Sequence, residues 1–303
     1  MTDTQNEVFK TPVNKIRLFE HGAPGSQNLK LTRKYYTEDM PDGRVKHIVQ
    51  NITDPDIVPY IPDGIGNSTD RQRIPAVLII PGGAFRRLVY NFEGEDVAKW
   101  LNSMGIAAFV LECRLPSDEH DNAEDVPLID AMRAMRVIRG RAQEFGIDEA
   151  KIGVMGFSAG GFMAALLSTA YESDVYADYK YKDEYDKLSA RPDFAVCSYP
   201  VISIDDCIEA GKRYMSEEQV LERISDSKAK ILHKYNPDKL VRPDMPPVFI
   251  CETDDDRTTL SENSVGFYMA ARKAGVSAEL HIFRTGGHGY GCGDDFAQTG
   301  EWK

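Results

Sequence analysis

The spacing of apolar and polar positions changes near residue 75. Residues 1 to about 74 are polar and broken by turn formers: Gly22-Ala23-Pro24-Gly25, Pro41-Asp42-Gly43 and Pro62-Asp63-Gly64. Between them Val45-Lys46-His47-Ile48-Val49 alternates enough to predict an outer strand, so this region reads as an antiparallel edge preceding a main sheet. Ala76 to Ile80 is then a continuous apolar run, the pattern of a strand covered on both faces. A helix over Glu95–Ser103, a buried strand over Ile106–Leu111 and helical spacing over Val126–Phe145 follow. Next come a strand at Ile152–Met155, a helix from Gly160 to about Tyr171, and strands at Phe194–Tyr199 and Val248–Glu252. A helix over Ser261–Ala274, stopped by Gly275, and a strand over Glu279–Phe283 complete the series. Strands alternating with helices at this rhythm predict an α/β fold: a mostly parallel, doubly wound sheet with helices on both faces.

Two segments interrupt the alternation. Tyr171–Leu188, dense in Tyr, Asp and Lys, reads as a solvated loop or surface helix. Residues 205–244 hold a predicted helix around Ser216–Ile231 and fall where an insertion would lie above the carboxyl ends of the strands, room for a small cap. No repeat or low-complexity tract divides the 303 residues, so they read as a single domain.

Composition narrows the partners. A formal net charge of −12 argues against a nucleic-acid or anionic-membrane partner, because phosphate would be repelled. The five cysteines are scattered without a C-x-x-C pair, which suggests neither a disulfide framework nor a metal site. No signal-like or membrane-spanning apolar stretch is present, so the expectation is a cytoplasmic chain. The oligomeric state stays open, a homo-oligomer included.

The strongest chemical signal is Gly156-Phe157-Ser158-Ala159-Gly160, set between a β-branched strand and a helix. This is a nucleophile elbow in its required context: small residues permit the tight turn, and the serine hydroxyl is presented at a helix N-terminus. A serine needs a base. Of six histidines, His288 alone follows the last predicted strand in a glycine-flanked loop, Gly286-Gly287-His288-Gly289. The base needs a carboxylate to fix its tautomer, and the strand ending at Glu252 runs into Thr253-Asp254-Asp255-Asp256. Asp256 is favoured, with Asp255 the alternative. Oxyanion donors are expected from the N–H of Ala159 and from Gly83 and Ala84 in the loop Pro81-Gly82-Gly83-Ala84-Phe85. Arg114 and Asp130 read as a fold-stabilising pair or as caps, outside the site.

Together these pieces resemble the esterase and lipase branch of the α/β-hydrolases. The resemblance is nearest to bacterial proteins labelled acetyl esterase, acetyl xylan esterase or feruloyl esterase. It runs through Val49 to Pro55, Ile80 to Ala84, Arg114-Leu115-Pro116, Pro127 to Ala131, Gly156 to Gly161 and Tyr199 to Ser203. It continues at Asp255-Asp256 with Glu262-Asn263-Ser264, and at Gly286 to Gly291. The resemblance places the nucleophile on Ser158, the base on His288 and the acid on Asp256. It implies hydrolysis of small, acetyl-type esters, often on sugars, without metal or other cofactor. The sequence departs from the pattern at Ala84, Cys113, Phe162 and Arg257-Thr258-Thr259-Leu260. Small residues at the elbow and little chain for a lid favour a short acyl group. The alternatives are a peptidase of the prolyl-oligopeptidase type, disfavoured by the lack of a propeller-sized N-terminal domain, and a catalytically silent binding scaffold.

Overall fold

The computed structural model describes residue 9 and residues 13–65, 73–214, 216, 218–220, 227–293 and 299–303. Eleven strands are present among them: β1 (Ile16–Arg17), β2 (Lys34–Asp39), β3 (Val45–Gln50), β4 (Asp56–Tyr60), β5 (Ile74–Ile80), β6 (Leu88–Val89), β7 (Ala107–Glu112), β8 (Ile147–Phe157), β9 (Ala195–Ser198), β10 (Val248–Thr253) and β11 (Ala278–Phe283). The helices are α1 (Asp96–Ser103), α2 (Val126–Gly140), α3 (Ala142–Phe145), α4 (Ala159–Ala170), α5 (Ile204–Tyr214), α6 (Ser227–Lys234) and α7 (Ser261–Lys273).

Eight strands form the main sheet in the order β1-β4-β7-β5-β8-β9-β10-β11. From β7 to β11 all pairings are parallel; β4 runs antiparallel to both β7 and β1. The fold is that of an α/β-hydrolase. Strands read as continuous apolar runs are those covered by helices on both faces: all six residues of β7 and the last five of β5 are buried. α4 is apolar on every side and almost wholly buried, as its sequence AGGFMAALLSTA requires. α2 begins with Pro127 in its first turn, and α7 stops before Gly275, whose φ of +80° is suited to a helix end.

The chain leaves β5 for β7 on one side and then returns to β8 on the other. Strand order therefore reverses at β5, and the loops after β5 and β8 diverge from this point. Such a switch point opens a crevice at the carboxyl ends of the strands, where open α/β sheets bind ligands.

Three expectations need correction. Val45–Val49 does not edge the main sheet; β3 pairs with β2 and with β6 in a separate three-stranded sheet, and the antiparallel edge is made by β1 and β4. β6 lies beyond the loop that follows β5, too far along the sequence for local pattern to pair it with β3. The Val126–Phe145 helical segment breaks at Arg141, and the strand expected at Ile152–Met155 runs from Ile147 to Phe157. Residues 217 and 221–226 of the helix expected at Ser216–Ile231 lie outside the described residues. The Tyr171–Leu188 segment is mostly loop, but Tyr176 is buried and its hydroxyl donates to Asp186 at 2.9 Å. No helix among the described residues is long and apolar enough to cross a membrane.

Candidate active site

β8 ends at Phe157 and α4 begins at Ala159, so Ser158 is the single residue in which the chain reverses. Its backbone stands at φ 54°, ψ −117°, a conformation rare for a residue with a side chain. The surrounding glycines are dictated by distance. A Cβ on Gly156 would stand 1.9 Å from the Gly160 carbonyl oxygen, and one on Gly160 would stand 1.9 Å from the carbonyl oxygen of Ile80. The elbow is held by Ser158 N–H donating to Ser198 O at 3.0 Å, and by Phe162 N–H donating to Ser158 O at 3.0 Å.

Ser158 Oγ lies 2.9 Å from His288 Nε2. The other ring nitrogen, Nδ1, lies 2.6 Å from Asp256 Oδ2. The structure thus brings Ser158, His288 and Asp256 into one hydrogen-bonded line. The Asp256 side chain has no solvent exposure, whereas that of His288 is 21% exposed. Burial works to raise the Asp256 pKa. The bond and charge of His288 and the N–H groups of Thr259 and Thr258 outweigh it and hold the carboxyl below its usual range. Those N–H groups donate to Oδ1 at 3.0 and 2.7 Å, and Thr259 Oγ1 donates to Oδ2 at 3.0 Å. The departure Arg257-Thr258-Thr259-Leu260 therefore supplies the donors that fix Asp256.

Asp255 has a different place. It is exposed, and its Oδ1 accepts from Gly286 N–H at 2.9 Å and Gly287 N–H at 2.8 Å. It anchors the histidine loop without touching the imidazole. Asp254 is exposed as well.

The loop Pro81–Phe85, the candidate source of oxyanion donors, follows β5. Gly83 has φ 137°, and Ala84 and Phe85 have φ 57° and 59°; the turn closes with Arg86 N–H donating to Gly83 O at 3.2 Å. Ala84 is exposed, while the Phe85 ring packs edge-on against Phe162 at 5.5 Å. The N–H of Ala159 falls in the first turn of α4, where intrahelical acceptors are lacking and the dipole favours negative charge.

Four buried groups around this line gave no sequence signal as site residues. Glu93 accepts from Gly82 N–H at 2.8 Å and from the Tyr199 hydroxyl at 2.9 Å, and burial raises its pKa. Tyr199 packs edge-on against His288 at 5.0 Å between ring centroids. Glu252 is fully buried; burial and the nearby Asp256 charge hold its pKa well above the usual carboxyl range. Thr259 completes the set. Tyr199 stood within a stretch of family resemblance and Thr259 within a departure from it, while Glu93 and Glu252 read locally as ordinary polar positions.

Arg114 and Asp130 lie outside this line and are both fully buried. The guanidinium donates to the carboxylate from Nη2 at 2.6 Å and from Nε at 3.0 Å, and Nη1 bonds Ser26 Oγ at 2.8 Å. Of the two readings from sequence, a paired Arg114 and Asp130 or caps, the structure shows the buried pair.

A serine on a positive-φ elbow at the switch point of a mainly parallel sheet, facing a histidine from the loop after the last strand, is the arrangement of an α/β-hydrolase. Comparison with known proteins narrows the class. The chain belongs to the BD-FAE family, which it matches over residues 65–270. That stretch includes Ser158 and Asp256 and ends before His288. An acetylxylan esterase of Xylanibacter ruminicola is 31% identical over 223 residues, covering 73% of this chain and 42% of the relative. Endo-1,4-beta-xylanase B of Butyrivibrio fibrisolvens is 31% identical over 227 residues, covering 75% of this chain and 34% of the relative. This chain thus spans less than half the length of either. The crystal structure of an acetyl ester-xyloside bifunctional hydrolase from Caldicellulosiruptor lactoaceticus aligns with TM-score 0.69 and 35% identity, covering 95% of this chain and 92% of that one.

Proposed function

We propose that this chain is a serine carboxylesterase that removes short, acetyl-type acyl groups, with acylated sugars as its natural substrates. The observation that carries the reading is the continuous line from Ser158 Oγ through both nitrogens of His288 to Asp256, at 2.9 and 2.6 Å. The likeness to an acetylxylan esterase and to an acetyl ester-xyloside hydrolase supports the sugar acetate as substrate. Ser158 itself is 8% exposed, which suits a small acyl group better than a long chain.

In this mechanism Ser158 Oγ attacks the ester carbonyl carbon while His288 Nε2 takes the hydroxyl proton. Asp256, accepting at Nδ1, holds the tautomer that leaves Nε2 free and stabilises the imidazolium that forms. The N–H groups of Ala159, Gly83 and Ala84 receive the negative charge that develops on the carbonyl oxygen. The tetrahedral adduct collapses, and the alcohol departs with the proton from Nε2. A water molecule, deprotonated by His288, then attacks the acyl-serine carbonyl and releases the carboxylic acid, restoring Ser158.

The test is turnover of p-nitrophenyl esters from acetate to octanoate, followed by acetylated xylo-oligosaccharides. Wild type should cleave acetate fastest, and Ser158→Ala and His288→Ala should lose the activity. Folded wild type that cleaves none of these esters would refute the reading.

A further inference from the structure

We propose that Glu93 is a positioning residue for this reaction: its buried carboxyl ties the oxyanion loop to the histidine loop and so sets the Gly83 and Ala84 N–H groups relative to Ser158 and His288. The inference rests on the serine-esterase reading. Glu93 belongs to the π-helical turn Asn91–Glu95, in which Glu95 N–H donates to Tyr90 O at 2.8 Å. Such turns insert an extra residue into a helical path and occur often at functional sites. Here the turn directs a carboxyl with 4% exposure beneath Gly82.

The two carboxyl oxygens are committed to different loops. Oε2 accepts from Gly82 N–H at 2.8 Å, and Oε1 accepts from the Tyr199 hydroxyl at 2.9 Å. The Tyr199 oxygen in turn accepts from Gly291 N–H at 3.1 Å, three residues beyond His288, while its ring packs against the imidazole. With its amide committed to Glu93, Gly82 is removed from the oxyanion donors, and the role falls to Gly83 and Ala84. The fit has no slack. A Cβ on Gly82 would stand 2.7 Å from Glu93 Oε2 and 2.9 Å from Ser158 Cβ, and one on Gly291 would stand 2.7 Å from Phe92 O in the same π-turn. Packing alone would be met by an apolar residue at lower desolvation cost. A carboxyl with one oxygen on Gly82 and the other on Tyr199, which itself holds Gly291 of the histidine loop, instead fixes the separation of the two loops, and misplacement near the reacting atoms by about 1 Å can cost about 10²-fold in rate.

The experiment compares wild type, Glu93→Gln and Tyr199→Phe in p-nitrophenyl acetate turnover and in binding of a trifluoromethyl ketone. The ketone forms a tetrahedral adduct with the serine and so reads the oxyanion site. Glu93→Gln should lower kcat by about 10- to 100-fold, leave KM within about threefold, and weaken the ketone by the same factor as kcat. Tyr199→Phe should act in the same direction and less strongly. An unchanged kcat in folded Glu93→Gln, or a lower kcat with unchanged ketone affinity, would overturn the proposal. Should Glu93→Gln not fold, unchanged kcat and ketone affinity in Tyr199→Phe overturn it. Failure of the esterase reading would appear in the wild type, which would neither cleave the ester nor bind the ketone. Failure of this proposal would appear only in the variants.

Discussion

Replacing Asp256 by asparagine tests the proposed Ser158–His288–Asp256 line at its most constrained residue. Asp256 Oδ1 accepts from two backbone N–H groups, those of Thr258 and Thr259, at 2.7 and 3.0 Å. An asparagine at this position must keep its carbonyl oxygen there, because an NH₂ group would face two donors. Its NH₂ is thereby forced into the place of Oδ2, 2.6 Å from His288 Nδ1. Thr259 Oγ1 can adapt, since a hydroxyl accepts as well as donates and the Tyr199 carbonyl lies 3.3 Å away. His288 cannot adapt. With Nδ1 made an acceptor, its proton sits on Nε2, facing Ser158 Oγ at 2.9 Å, and the ring is unable to take the serine proton. The wrong tautomer in a serine protease triad lowers kcat by about 10⁴, or about 5 kcal/mol of transition-state stabilisation, and a loss of that order is expected here. The assay is p-nitrophenyl acetate turnover at neutral pH, with His288→Ala as the background and a thermal melt to establish folding. KM should change little, because the lost interaction acts on the proton and not on the bound ester. Asp255→Asn, at a side chain that accepts from the Gly286 and Gly287 N–H groups and not from the imidazole, should retain most of the rate. Asp256→Asn keeping more than a tenth of wild-type kcat, or Asp255→Asn being the inactive variant, would refute the assignment of Asp256.

Two predictions concern the scaffold. Asp130→Ala would leave the fully buried Arg114 guanidinium with neutral hydrogen-bond partners among the described residues, Ser26 Oγ and the Pro24 carbonyl. Denaturant unfolding should show a loss of about 3–5 kcal/mol, and a loss below about 1 kcal/mol would contradict the account of this pair. His120 is pushed down to about 4 by burial and then by the Arg114 charge. A histidine with a lowered folded pKa is charged more readily in the unfolded chain, so wild-type stability should fall as pH drops from about 6.5 to about 4, by roughly 3 kcal/mol at most from this group. In His120→Gln that component of the slope should vanish, and an unaltered slope would count against it.

Much of this fold and site could be read from the chain because the relevant information is local. A strand covered on both faces carries a continuous apolar run, which made β5, β7 and β10 legible. The elbow is contiguous, and its glycines are required by approaches as close as 1.9 Å, so Ser158 could be named from five adjacent residues. His288 was named from chain order and its glycine loop. The choice among Asp254, Asp255 and Asp256 was another matter, since adjacent identical side chains differ only in direction. The turn through Thr258 and Thr259 aims one at the imidazole, one at the loop backbone and leaves Asp254 exposed.

The remaining features depended on contacts between distant segments. β3 finds β6 about forty residues away across a loop, a register that alternation within β3 does not encode. Glu93, in the polar stretch Asn-Phe-Glu-Gly-Glu, has the local character of a solvated charge ahead of a helix. Only the π-turn and the return of Tyr199 and Gly291 from elsewhere in the chain enclose it. The sequence by itself determined the six parallel strands, the elbow and the chain order of the candidate serine, aspartate and histidine, because periodicity and tight turns are properties of neighbouring residues. Tertiary structure decided which aspartate meets the histidine and which buried carboxyl braces the loops, because these depend on side-chain direction and on partners that neighbouring residues do not contain.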